Sequence, residues 1–125
     1  MSIQLVLVAL VWAAIGIYGI VAPKKLYALF GVPVETADGR NEIRAVYGGM
    51  CLAVAVVMFE APWLGAAAPG VLLTVMVMLA GMALGRIVSM VIERPGIIPV
   101  VFLGTEILGV GLLYSIIDMS ALTAA

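Results

Sequence analysis

Two charged side chains, Arg86 and Glu106, stand inside successive hydrophobic runs of a chain whose other charges keep mostly to turns and ends. Arg86 lies eight residues before Arg94 and Glu106 ten residues after Gly96, one on each side of the turn "ERPG". At a rise of ~1.5 Å per helical residue, both sit roughly 12–15 Å from that turn. In an antiparallel helical hairpin they share one depth. An isolated charge at the centre of a membrane span costs ~2.5–3.5 kcal/mol, and pairing with an opposite charge is the usual escape. The spacing therefore predicts an Arg86–Glu106 ion pair turned away from lipid. Arg86 shares a helical stripe with Met82, Ser89 and Glu93, the less lipophilic face of its run.

The run "NEIRAVYGGMCLA" adds three further candidates. Arg44, Tyr47, Gly48 and Cys51 recur there at helical spacing, with Glu42, Val46 and Gly49 on a neighbouring stripe. Arg44 reads either as a cation snorkelling to lipid phosphate or as an inward-facing group. Glu42 reads as a candidate ligand contact or as an acid complementing a helix N-terminus. Tyr47 is an interface anchor or, if the second and fourth spans are neighbours, a hydroxyl within reach of Glu106. Arg86, Glu106, Arg44, Tyr47 and Glu42 together form a candidate ligand-binding set.

Composition excludes most other chemistry. Histidine is absent and Cys51 is the single cysteine, which removes most zinc, haem and iron–sulfur ligand sets and any intrachain disulfide. Neither a metal site nor a cofactor is expected. Cys51, in an apolar run, reads as a small buried hydrophobe, and Met76, Met78, Met82 and Met90 as adaptable packing residues. A net charge of −1 leaves no basic excess for a nucleic-acid partner. Of the 125 residues, 66% are hydrophobic and 10% charged. With a mean hydropathy of +1.31, that places the chain in a lipid bilayer.

The elements that must position these residues follow from the apolar runs. Four stretches, about 4–22, 42–59, 71–92 and 97–117, are long enough to cross a hydrocarbon core. They predict an all-α fold: a single transmembrane domain over residues 1–125, an antiparallel up-down four-helix bundle. Residues 23–41 form the one extended polar connection, with an amphipathic piece at 26–30 and Gly31 and Pro33 as breakers. Asp38 or Asn41 is the expected N-cap of the second span. The first run is not preceded by a positive charge and is long enough to span, which argues against a cleaved leader.

Basic residues are distributed unevenly. Lys24, Lys25, Arg40, Arg44 and Arg94 fall on the face that holds the first and third connections, and no lysine or arginine falls on the other. By the positive-inside rule the basic face is cytoplasmic, with both termini periplasmic if the membrane is a bacterial inner one. Gly81 with Gly85, and Ala45 with Gly49, have the small-xxx-small spacing that predicts close helix contacts. The second and fourth spans also share the pattern E-I-x-x-V-x-G, an echo compatible with a duplicated two-helix unit.

The block "FGVPVETADGRNEIRAVYGGMCLA", followed by "GMALGRIVSM" and a glutamate in the last span, resembles domain of unknown function 4345, an uncharacterised bacterial membrane-protein family. The resemblance covers the whole chain and is most specific over 31–49. It implies a compact four-span protein and supplies no catalytic residue. In plan, the chain is similar to the DoxX-like four-helix membrane proteins.

Three functional classes remain. In the first, the polar layer binds a small amphiphile, such as a lipid, a quinone or a hydrophobic acid. In the second, the protein is a structural or accessory subunit of a homo-oligomer or larger membrane complex, and the ion pair only fixes helix packing. An enzyme using Glu106 as general acid or base and Arg86 to hold an anionic substrate ranks last, for want of an activated nucleophile.

Overall fold

The computed structural model describes residues 1–122. Those residues are overwhelmingly helical and contain no strand. Four helical stretches, Ile3–Val21, Ala37–Trp63, Gly65–Ile92 and Ile97–Tyr114, are long and apolar enough to cross a membrane. They lie close to the four apolar runs because in hydrocarbon a chain must satisfy every backbone N–H and C=O internally, which a helix does.

Contacts along the chain form two compact units, one of Met1–Val8 with the chain from Glu60 onward, the other Ala9–Phe59. Helix α1 (Ile3–Val21) begins in the first unit and continues into the second. Its start is capped by Ser2, whose hydroxyl accepts from the Leu5 amide at 3.3 Å.

The second unit continues with α2 (Pro23–Ala28), α3 (Ala37–Ile43), a π-helical segment (Arg44–Met50) and α4 (Cys51–Glu60). Pro23 stops α1 because it offers no N–H, and its fixed φ suits the first turn of the next helix. In α2, Leu26 is buried while Lys24 and Lys25 are exposed, so the amphipathic helix in this connection starts earlier than the piece expected at 26–30 and ends at Ala28. Gly31 follows with φ of 73°, a left-handed conformation that glycine adopts without a Cβ penalty.

The second span starts earlier than its apolar run. Its N-cap is neither Asp38 nor Asn41 but Thr36, in extended conformation with its hydroxyl accepting from the Gly39 amide at 3.1 Å. Asp38 falls instead in the first turn, where an acid complements the helix dipole. Glu42, assigned that dipole role from the sequence, lies beyond the first turn and is exposed. The polar residues 37–41 can join the helix because their side chains stay in water or headgroups while Thr36 satisfies an otherwise unpaired amide. Thr36→Ala should lower thermal stability by about 1 kcal/mol, and Asp38→Ala by less, as measured by unfolding in mild detergent.

Close helix approach in this unit centres on Gly16, Gly19 and Gly48. A Cβ on Gly19 would lie 2.8 Å from the Gly48 amide nitrogen and the Tyr47 carbonyl carbon, and one on Gly16 2.7 Å from Leu52. The expected pair Ala45 and Gly49 does not mediate it: both are exposed, and a Cβ on Gly49 would meet only the Arg44 carbonyl of its own segment.

The first unit is built on a hairpin of α5 (Ala68–Ile92) and α6 (Ile97–Tyr114). Residue Glu93 leaves the helix with φ −150° and ψ 153°, Pro95 cannot continue it, and Gly96 re-enters in extended conformation. On α5 the buried positions are Leu72, Val75, Leu79 and Ala83, at three- and four-residue steps. On α6 they are Glu106, Gly109 and Leu113, on the same periodicity. The register is pinned where a Cβ on Gly109 would come within 2.9 Å of Leu79. Gly81 and Gly85, expected to pack closely, are exposed, and a Cβ on either meets nothing within 4 Å. They lie off the stripe that α5 turns to α6. Spacing alone does not reveal which face of a helix is occupied, and in a chain with 14 glycines such spacing arises easily.

Candidate functional site

Arg86 is the next residue on the buried stripe of α5 after Ala83, and Glu106 begins the buried stripe of α6. The two helices therefore bring them together at the turn-side end of their apolar interface. The Arg86 Nε donates to both carboxylate oxygens of Glu106, at 2.8 Å to Oε1 and 2.9 Å to Oε2. This is the ion pair expected from the spacing about the turn, and it is the one salt bridge among the described residues.

Burial of the pair is unequal. The Glu106 side chain is 4% exposed and that of Arg86 22%. Glu106 is the only buried charged or polar residue among those described. Phe102, one turn before Glu106, places its ring 5.2 Å from the guanidinium carbon of Arg86. A cation over a ring face gains ~0.5–1 kcal/mol at exposed sites and ~2 kcal/mol when desolvated. One helix therefore supplies the carboxylate and the aromatic face, and the other supplies the cation between them. The neighbouring Thr105 hydroxyl is turned to the Phe102 carbonyl at 2.8 Å, inside its own helix.

The geometry of the pair leaves most of the guanidinium uncommitted. A guanidinium carries five N–H donors, and the strongest carboxylate pairs use two of them, one for each oxygen. Here a single Nε–H spans both oxygens, and Nη1 and Nη2 have no hydrogen-bond partner among the described residues. The arrangement leaves the four Nη N–H donors available, two of them parallel along the Nη1–Nη2 edge, on a guanidinium held in place by a buried carboxylate and a ring.

Arg44, Tyr47 and Glu42 belong to the second unit, and the structure gives the first two local roles. Arg44 is exposed, and its Nε donates to the Ile20 carbonyl at 3.1 Å. That carbonyl lies in the last turn of α1, where backbone acceptors lack helical donors and a cation complements the dipole. This contact is neither of the two roles, snorkelling or inward-facing, that the sequence suggests for Arg44. The signal was Pro23, which ends α1 and leaves carbonyls in its last turn to be met.

Tyr47 lies in the π-helical segment, its ring edge-on to Tyr27 at 5.3 Å, while Tyr27 also meets Phe30 at 6.4 Å. Burial, then the adjoining Tyr47 phenol and the charge of Glu42, push the Tyr27 pKa up to about 12. Tyr27 thus stays a neutral phenol at any physiological pH. The helical stripe expected through Arg44, Tyr47, Gly48 and Cys51 is altered, because hydrogen bonds from i to i+5 widen each turn. Cys51, buried as expected, shows that offset directly, its thiol donating to the Val46 carbonyl five residues back at 3.7 Å. Gly48–Gly49 was the available signal, since paired small residues let a helix wall deform.

The echo E-I-x-x-V-x-G does not place its glutamates alike. Glu106 is buried in an α-helix, and Glu42 is exposed just before a π-helical one.

A protein-family model described as "Domain of unknown function (DUF4345)" matches residues 1–117. No curated protein and no solved structure matches the chain.

Proposed function

From the premise that the chain belongs to the DUF4345 family, we propose that it is a multi-pass membrane protein that binds a small amphiphile at the Arg86–Glu106 pair. One observation carries this reading: a buried carboxylate holds an arginine by its Nε alone, leaving both Nη groups without a partner among the described residues. Ionisable groups inside membrane spans are costly, and they recur where a ligand or ion must be met. A pair that served packing alone would be expected to commit two guanidinium donors, one to each oxygen. The four apolar helices supply the membrane setting. The basic residues Lys24, Lys25, Arg40 and Arg94 favour a cytoplasmic location for the first and third connections, with both termini periplasmic in a bacterial inner membrane.

Native mass spectrometry of the protein released from mild detergent tests the reading against the Arg86→Met/Glu106→Leu double variant. The expected result is a defined small-molecule adduct on the unmodified protein that is absent from the variant. A protein that carries no adduct, and that runs as a discrete larger assembly in both forms, would instead support the accessory-subunit reading.

A further inference from the structure

We infer that the headgroup taken up at this site is an uncharged hydrogen-bond acceptor, an ester or ketone carbonyl, rather than an anion. This rests on the amphiphile-binding reading and narrows it.

The reason is the charge already present. Arg86 and Glu106 are in direct contact at 2.8 Å, so the site carries no net charge before any ligand arrives. An isolated anion placed on the Nη edge would make the group net negative, with the Glu106 carboxylate nearby and only 4% exposed. In a low-dielectric interior a second like charge is strongly disfavoured, and a net buried charge carries the full desolvation penalty. A carbonyl oxygen meets the same N–H donors and leaves the charge balance unchanged. It gives the Nη donors, on a side chain that is 22% exposed, an acceptor in a setting where lipid rather than water would otherwise face them. Phe102 against the guanidinium reinforces this choice, because it offers an apolar ring beside the polar edge and no second cation. Among the described residues, no further lysine or arginine is placed on the pair to offset an added negative charge.

A matched pair of probes isolates the charge: methyl myristate and myristate, which share one chain and differ in whether the headgroup is ionised. Binding is measured by native mass spectrometry with the two probes in competition in one detergent, at about pH 9, where the free carboxylate is ionised. The unmodified protein is expected to take the ester at least about tenfold more tightly than the carboxylate, a difference of ~1.4 kcal/mol. Glu106→Gln keeps an oxygen for the Arg86 Nε but removes the compensating charge, so in that variant the preference should reverse and myristate should win. The double variant Arg86→Met/Glu106→Leu, expected to stay folded because apolar residues of similar volume often replace a buried pair without loss, should distinguish neither probe. If the unmodified protein prefers myristate, or if Glu106→Gln leaves the preference unchanged, the inference about the headgroup is wrong while binding at the pair stands. If neither probe binds to the unmodified protein or to Glu106→Gln, the amphiphile-binding reading fails, and this inference with it.

Discussion

Arg86→Met alone should destabilise the protein by about 3–5 kcal/mol, the usual consequence of removing one partner of a buried ion pair. The effect lies in what is left behind. Glu106 is 3% exposed and has no alternative cation among the described residues, so in the single variant its carboxylate must stay charged in an apolar interface or take up a proton. Glu106→Leu should cost less, because the Arg86 side chain is 22% exposed and its long stem lets the guanidinium move toward a polar boundary. The double variant Arg86→Met/Glu106→Leu should fall close to the unmodified protein, since apolar residues of similar volume often replace a buried pair without loss. Unfolding in mild detergent, followed by circular dichroism, measures all three. The expected order of stability is the double variant, then Glu106→Leu, then Arg86→Met. A double variant as unstable as Arg86→Met would mean that the pair is kept for stability, and the case for a ligand at its free edge would lose its main support.

The hairpin and its ion pair were legible in the sequence because their cause is local and severe. Charge is heavily penalised inside an apolar run, so two opposite charges equidistant from "ERPG" leave few arrangements open. The same severity made the four helical stretches readable, since a backbone in hydrocarbon has almost no alternative to the helix.

Features that depend on which helix face is occupied were not legible. Gly81 and Gly85 carry the small-xxx-small spacing and yet are exposed, whereas Gly16, Gly19 and Gly109, whose packing no spacing pattern marks, sit at close approaches. A glycine's importance is set by the backbone or side chain opposite it, which no local pattern encodes. Thr36 is not legible as a cap because the apolar run of the second span begins well after it, and polar residues 37–41 mask the true first turn. Arg44 illustrates a third limit: the carbonyl it meets, at Ile20, is 24 residues away in sequence.

The approach at Gly19 gives the second large effect. Gly19→Leu should lower stability by about 3 kcal/mol or more, the upper end of what overpacking a close contact costs. Its Cβ would stand 2.8 Å from the Gly48 nitrogen and the Tyr47 carbonyl carbon and 2.9 Å from the Tyr47 oxygen. All three are backbone atoms, so no side chain can rotate out of the way and the helices themselves must separate. That separation should also disturb two adjacent contacts, the Arg44 bond to Ile20 at 3.1 Å and the edge-on packing of Tyr47 on Tyr27. Gly48→Ala should be milder, because the atoms nearest its Cβ belong to the Ile20 side chain, which can shift. Gly81→Ala and Gly85→Ala provide the contrast. Each places a methyl in open space within a helix, so each should be neutral or stabilising by about 0.5–1 kcal/mol through the entropy that glycine otherwise loses. Thermal unfolding of the four variants in one detergent separates the two classes. If Gly81→Ala and Gly85→Ala prove as damaging as Gly19→Leu, their face is covered by another molecule, and the balance shifts toward a protein that works as part of an assembly.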